Sequence, residues 1–132
     1  MILDSSAVLA VLFREKNHAR VEEALDAADL ISIGAPTLFE TTMVAVARFG
    51  LHGRALVAQF IERWNVAIAP FDAHHANVAL EAFVDFGKGR HPARLNLGDC
   101  LTYATAQIAG MPLLFTGDDF AQTDVVPALR AS

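Results

Sequence analysis

The chain has 132 residues, of which 54% are hydrophobic, with 8 Gly and 5 Pro. That length fits a single domain over residues 1–132 with a sizeable core, and the composition excludes a disordered or low-complexity chain. A net charge of −5 argues against a uniformly basic nucleic-acid surface, and the single cysteine, Cys100, excludes an internal disulfide and suits a reducing, cytoplasmic setting.

"MILD" is a short apolar run that stops at Asp4. No basic segment precedes it, so it reads as a strand rather than a signal peptide or membrane span. "SSAVLAVLF" follows with helical composition and serine at the cap position. "HARVEEALDAA" sets Val21, Ala24, Leu25 and Ala28 at the 3-and-4 spacing of an amphipathic helix. "LISIGAP" is a strand ended by a Gly/Pro break, and "TLFETTMVAVARFG" a helix closed by Gly50, with Glu40 near its start. "GRALVAQFIERWN" carries Leu56, Phe60 and Trp64 at i, i+4 and i+8, a stripe suited to core or dimer contact rather than base stacking. "VAIAP" is a strand, and "DAHHANVALEAFVDFGKG" a helix ending in glycine. On that helix His74 and His75 point about 100° apart, so they read as surface or capping residues rather than ligands of one ion. "HPARLN" is a basic loop, with His91 as an ordinary loop residue. It leads into "LNLGDCLTYATA", a helix with Asp99 in its first turn and Cys100 as a packed thiol, stopping at Gly110. "PLLFT" is a strand, "GDDF" its exit turn, and "TDVVP" a short last strand.

Strands alternating with helices or helix pairs give a three-layer α/β/α domain around a central, mainly parallel sheet. In such a sheet the functional edge lies outside the carboxyl ends of the strands. Asp4 ends the first strand, Asp118 and Asp119 follow the fourth, and Glu40 and Asp99 lie near helix starts that the topology brings to the same rim. Without these five the chain would carry ten acids against ten bases, so its whole negative excess is the size of this one group. Two carboxylates 4 Å apart repel by roughly 4 kcal/mol at an effective dielectric of about 20, so such a cluster calls for a hard divalent cation. An all-oxygen set without histidine or cysteine selects Mg²⁺ or Mn²⁺, the usual ions of phosphodiester chemistry. An acid in a first turn also complements the helix dipole, but its company makes Asp99 a metal ligand in this reading.

"MILDSSAVLAVL", the acid in "APTLFETTMV", "GRHPARLNLGDCLTYATA" and "LLFTGDDFAQTDV" together resemble the PIN domain, and more narrowly the VapC toxins of bacterial toxin–antitoxin pairs. The likeness runs over essentially the whole chain, in order and spacing. It implies a PIN-like fold and a metal-dependent endoribonuclease, homodimeric, held in check by a VapB-type antitoxin and leaving 5′-phosphate and 3′-hydroxyl ends. Asp4, Glu40 and Asp99 match the first three acidic positions of the family. "TGDDF" offers Asp118 and Asp119 for the fourth, with Asp119 favoured. Ser6 matches a hydroxyl or amide position that hydrogen-bonds the site.

The bases gather in two segments beside this rim, Arg14, Lys16 and Arg20 after the first helix and Lys88, Arg90 and Arg94 before Asp99. They are the candidate contacts to RNA phosphates. Two other readings compete. A haloacid-dehalogenase-type phosphatase would use Asp4 as nucleophile but needs a second aspartate where Ser6 stands. A non-catalytic PIN-like binding module predicts missing acids, whereas every acidic position here is filled.

Overall fold

The computed structural model describes residues 1–129. Its elements follow in chain order: β1 (Ile2–Leu3), α1 (Ser5–Leu12), α2 (His18–Ala27), β2 (Ser32–Gly34), α3 (Ala35–Phe49), α4 (His52–Arg63), β3 (Ala67–Ala69), α5 (Ala73–Phe86), α6 (Leu97–Ala109) and β4 (Leu113–Leu114). The sheet order is β3-β2-β1-β4 and every pairing is parallel. No helix among the described residues is long and apolar enough to cross a membrane.

The two-residue alternation of a strand sorts the core. Ile2 pairs with Leu113 and Leu3 with Leu114. Ile2 and Leu113 pack among Leu95, Ala104 and Phe120 under α5 and α6. Leu3 and Leu114 pack on the other face among Val8, Val21, Leu25 and Phe60 from α1, α2 and α4. Helices thus cover both faces, which is why these strands read as unbroken apolar runs.

The helix ends follow their sequences. Asp4 caps α1, Asp72 caps α5 and Asn96 caps α6, while Gly110 closes α6 with a left-handed φ of 65°. His75 completes the α5 cap with Asp72, so the capping expectation for the histidine pair holds at His75. Phe60 is buried and Trp64 packs against it at 4.7 Å, which makes the α4 stripe a core contact.

Three expectations change. The cap of α1 is Asp4 rather than a serine, because the Asp4 carboxylate accepts from the Ser6 amide while Ser5 and Ser6 lie inside the helix. The Gly/Pro step after β2 is not a break. Pro36 lies in the first turn of α3, where its missing amide would have had no partner in the helix. The last strand expected at "TDVVP" is a single parallel bridge between Leu113 and Pro127, because a proline cannot extend the ladder.

Candidate active site

Asp4 leaves β1 and enters α1 as its cap. It is buried, and its Oδ2 accepts from the Ser6 amide at 3.1 Å and the Ser6 hydroxyl at 2.6 Å. The same hydroxyl oxygen accepts from the Thr116 amide at 3.0 Å, just past β4. Ser6 therefore fixes the rotamer of Asp4 and ties the exits of the two neighbouring strands together.

Asp99 stands at the start of α6 in a reciprocal cap. Asn96 Oδ1 accepts from the Asp99 amide at 2.9 Å, and Asp99 Oδ2 accepts from the Asn96 amide at 3.1 Å. This arrangement satisfies two backbone donors that the helix start leaves unpaired, and it holds the carboxylate in one place.

Glu40 arrives by way of α3, which runs antiparallel to α6 on a ladder of small residues. A Cβ at Gly34 would stand 2.7 Å from Thr105 Oγ1, and the Thr37 and Thr102 hydroxyls bond at 3.1 Å. The last rung is Gly98, where any Cβ would collide with the Glu40 carboxylate. Glycine at this step lets Glu40 lie against the start of α6, beside Asp99. At its other side Glu40 accepts a hydrogen bond from the Ser5 side chain.

The electrostatics record the convergence. Burial pushes the Asp99 carboxyl up to about 7, opposed by its bond from the Asn96 amide and reinforced by the charges of Asp119 and Asp4. Asp119 also shares a side-chain hydrogen bond with Asp99. Burial likewise raises Glu40, with the Ser5 bond opposing and the Asp4 charge adding to the rise. Carboxyls raised together by burial and by one another's charge are stabilised by a cation placed among them. Cys100, buried next to Asp99, has its thiol pushed up by burial and by that charge, which makes it a poor nucleophile and fits the packed-thiol expectation.

Asp99 thus lies within electrostatic reach of Asp119 and Asp4, and Glu40 within reach of Asp4. Asp118 is not among the charges that raise Asp99 or Glu40. It is exposed and lines a separate hollow with Asn17, Arg20, Thr116 and Gly117. The four acids offer only oxygen donors, the set that suits Mg²⁺ or Mn²⁺. Among the described residues no three of His, Cys, Asp or Glu stand close enough together to hold a metal ion as they are placed.

Of the bases, Lys88, Arg90 and Arg94 line one hollow of about 530 Å³. Their loop is cinched by Lys88 N to Leu95 O and Leu95 N to Phe86 O, both 2.9 Å, and so is rooted directly before Asn96. His91 lies in the loop as expected, and its Nδ1 accepts from the Ala93 amide at 3.0 Å, a shaping contact that the sequence did not announce. Arg14, with a left-handed φ of 51°, and Lys16 are exposed in the turn between α1 and α2. Sequence reasoning missed Ser5, Asn96, Gly98 and Thr116. Asn96 had a signal in the cap-x-x-acid spacing "NLGD", and Gly98, Thr102 and Thr105 form a small-residue stripe that announces a close helix contact.

Known proteins resemble this chain along nearly its whole length. The PIN domain family matches residues 1–126. Ribonuclease VapC36 of Mycobacterium tuberculosis is 44% identical over 126 residues, covering 95% of this chain and 91% of the relative. Ribonuclease VapC42 of the same species is 40% identical over 129 residues, covering 97% and 98%. In fold the chain is similar to the crystal structure of M. tuberculosis VapC20, described as a toxin cleaving the sarcin-ricin loop, with a TM-score of 0.77, 18% identity and 95% of each chain covered. It is also similar to a toxin–antitoxin complex from Klebsiella pneumoniae, with a TM-score of 0.71, 20% identity and 98% of each chain covered. With an acidic centre at the carboxyl edge of a parallel sheet and relatives of this identity along nearly its whole length, the chain belongs to the PIN-domain family, among the VapC ribonucleases.

Proposed function

We propose that this chain, as a single domain over residues 1–132, is the toxin of a VapBC-type pair, an endoribonuclease that uses Mg²⁺ or Mn²⁺ and acts in the cytoplasm as a homodimer. The observation that carries this reading is the convergence of Asp4, Glu40, Asp99 and Asp119, with Asp99 raised to about 7 by burial and acidic neighbours. Asp4 and Asp99 hold the ion, with Glu40 and Asp119 completing the set. Asp118, one residue before Asp119 but turned to another hollow, stays outside it. A bound ion of this kind supplies a water of lowered pKa and polarises the scissile phosphate. The chain's own work is positional: Ser6 holds Asp4, Asn96 holds Asp99, and Ser5 holds Glu40. Lys88, Arg90 and Arg94, with Arg14 and Lys16, draw in the RNA backbone and offset the negative field of the acids.

The partner in this reading is a VapB-type antitoxin. A groove is lined by Leu38, Phe39, Met43 and Val46 of α3, the helix that also carries Glu40, with Phe39 70% and Met43 55% exposed. An antitoxin segment laying apolar side chains there can reach a basic side chain into the acids, closing the site by charge.

Purified protein is expected to cut RNA with Mg²⁺ or Mn²⁺, to stop with EDTA, and to lose cutting in Asp4→Asn with unchanged far-UV circular dichroism. Full activity in EDTA overturns the reading. RNA binding without cleavage in Mn²⁺ favours the non-catalytic PIN-like module. Induced alone, the protein is expected to arrest growth, and harmless induction with no neighbouring protein that binds it removes the toxin assignment while leaving the nuclease.

A further inference from the structure

Asp119 is the acid whose place is not set by a helix or a strand. Residues 115–126 run in bends and turns from the end of β4 to Val126, whose carbonyl accepts from the Leu113 amide at 2.8 Å, and three side-chain fastenings hold them in between. Thr116 donates its amide to Ser6 Oγ at 3.0 Å. Phe120 is 2% exposed and meets Phe115 edge-on at 5.2 Å. At the far end, Asp124 Oδ1 accepts from the Tyr103 hydroxyl at 2.6 Å and from Gln107 Nε2 at 3.4 Å, and Gln107 Nε2 also donates to the Tyr103 oxygen at 2.7 Å. Between the last two fastenings, the Thr123 hydroxyl donates to Phe120 O at 2.8 Å and accepts from the Val125 amide at 3.3 Å. The stretch from Phe120 to Asp124 is therefore stiff, and what grips Asp124 also grips Asp119.

Tyr103 and Gln107 follow Asp99 at i+4 and i+8, on the same face of α6. Residues 119–124 run along that face, with Asp119 at Asp99 and Asp124 at Tyr103. One stripe of α6 thus carries an acid of the site and the anchor of the acid opposite. The Tyr103 ring is buried against Phe86 at 5.9 Å, a contact that phenylalanine would keep. Packing gives no reason for the hydroxyl.

We propose that the hydrogen bond from Tyr103 to Asp124, steadied by Gln107, is a positioning device that holds Asp119 against Asp99. Burial and the Asp124 carboxylate push the Tyr103 hydroxyl up to about 12, so it remains a donor throughout the working range. A bond from a neutral hydroxyl to a carboxylate at this distance is of the strong, charge-assisted kind. Neither residue touches the reacting atoms, and the inference rests on the reading of Asp119 as a metal-holding acid only for its effect on cleavage.

The test is amide hydrogen exchange on the full chain, with Mn²⁺ titration and RNA cleavage alongside. In Tyr103→Phe, exchange at residues 117–121 is expected to quicken by roughly five- to tenfold, the factor one such hydrogen bond is worth, with the rest of the chain unchanged. Mn²⁺ affinity is expected to fall about tenfold, and kcat with it, at unchanged KM for RNA, as for loss of a group behind a ligand. Asp124→Ala, on the exposed side of the bond, is expected to match it, and the double variant to be no worse than either single one. Asp124→Asn, which keeps an acceptor, is expected to restore most of the loss. Unchanged exchange at 117–121 in both single variants overturns the proposal, as does an equal rise along the whole chain. If the wild-type protein neither binds Mn²⁺ nor cuts RNA, the nuclease reading fails while the exchange pattern still decides the role of Tyr103 and Asp124.

Discussion

Asp72 and Asp99 hold comparable posts on two helices that pack side by side. Each belongs to a reciprocal cap, Asp72 as the cap residue of α5 and Asp99 three residues into the cap of α6. Their carboxyls nevertheless move in opposite directions. Asp72, with its side chain 72% exposed, is held below the ordinary range by hydrogen bonds from the His75 side chain and amide. Asp99 is buried beside Asp119 and Asp4 and rises to about 7. A helix start is therefore not what distinguishes Asp99. Hydrogen bonds to a carboxylate in water lower its pKa, and the same bonds lose to burial among other acids. The pair separates a carboxylate that its cap stabilises from one that its surroundings destabilise, in two caps of the same design.

The largest expected effect is on catalysis. Asp99→Asn, which can keep the bond from the Asn96 amide, is expected to cut Mn²⁺-dependent RNA cleavage by at least about a hundredfold, the upper end of what losing a group behind a ligand costs. Asp72→Asn is expected to leave cleavage intact. Equal losses in the two variants would break the comparison.

Stability without metal comes next. The folded value of Asp99 lies above its unfolded one, so the metal-free fold is unburdened below 3.8 and loses stability as pH rises toward about 7. Asp99→Asn is accordingly expected to melt a few degrees above wild type in EDTA at pH 8, the two curves meeting near pH 4. Asp72 carries the opposite sign: its folded value lies below 3.8, so its contribution is present above that pH and fades as pH falls through the folded value. Asp72→Asn is expected to melt slightly below wild type at neutral pH and to match it in strong acid. Mn²⁺ is expected to stabilise wild type and Asp72→Asn by mass action, but Asp99→Asn much less. Thermal melts across pH, with and without Mn²⁺, read all three signs.

Gly98→Ala sharpens the comparison from the other side of Asp99. Alanine favours the helix, so the melting point is expected to hold or rise, while the displaced Glu40 carboxylate lowers cleavage about tenfold. A loss of stability with no loss of cleavage would detach Glu40 from the site. The smallest effects belong to the basic loop. Lys88→Ala, Arg90→Ala and Arg94→Ala are each expected to raise KM a few-fold at unchanged kcat. Each is also expected to lower the slope of binding against salt by about 0.7 for every single-strand phosphate that its side chain neutralises. A salt slope that stays put in all three would take RNA off this loop.

Local features were legible in the sequence. Asp4 stands where an apolar run stops, and Asp99 opens a periodic helix, so their places at one rim follow from alternating strands and helices. The α4 stripe and the capping role of His75 follow from spacing in the same way. What escaped reading is what distant segments do to each other. Glu40 reaches the site because Gly34, Thr37 and Gly98 let α3 lie close along α6, a fact about two helices that no window on either contains. "TGDDF" cannot choose between two adjacent aspartates. The turn that carries both is fastened through Phe120, Asp124 and Tyr103, none of which advertises that work. The last strand failed for a local reason that was visible, the proline at 127.

The central strand has a consequence in time. β1 is flanked by β2 and β4, and the register joins residues 2 and 3 to residues 113 and 114. During synthesis, Asp4, Glu40 and Asp99 all emerge before the strand that completes the sheet, and Ser6 waits for Thr116 to lock it. Pairings this distant along the chain form late and slowly. The nascent protein therefore carries three of the four acids of its centre without their geometry, and the centre comes together in one late step, when β4 docks beside β1.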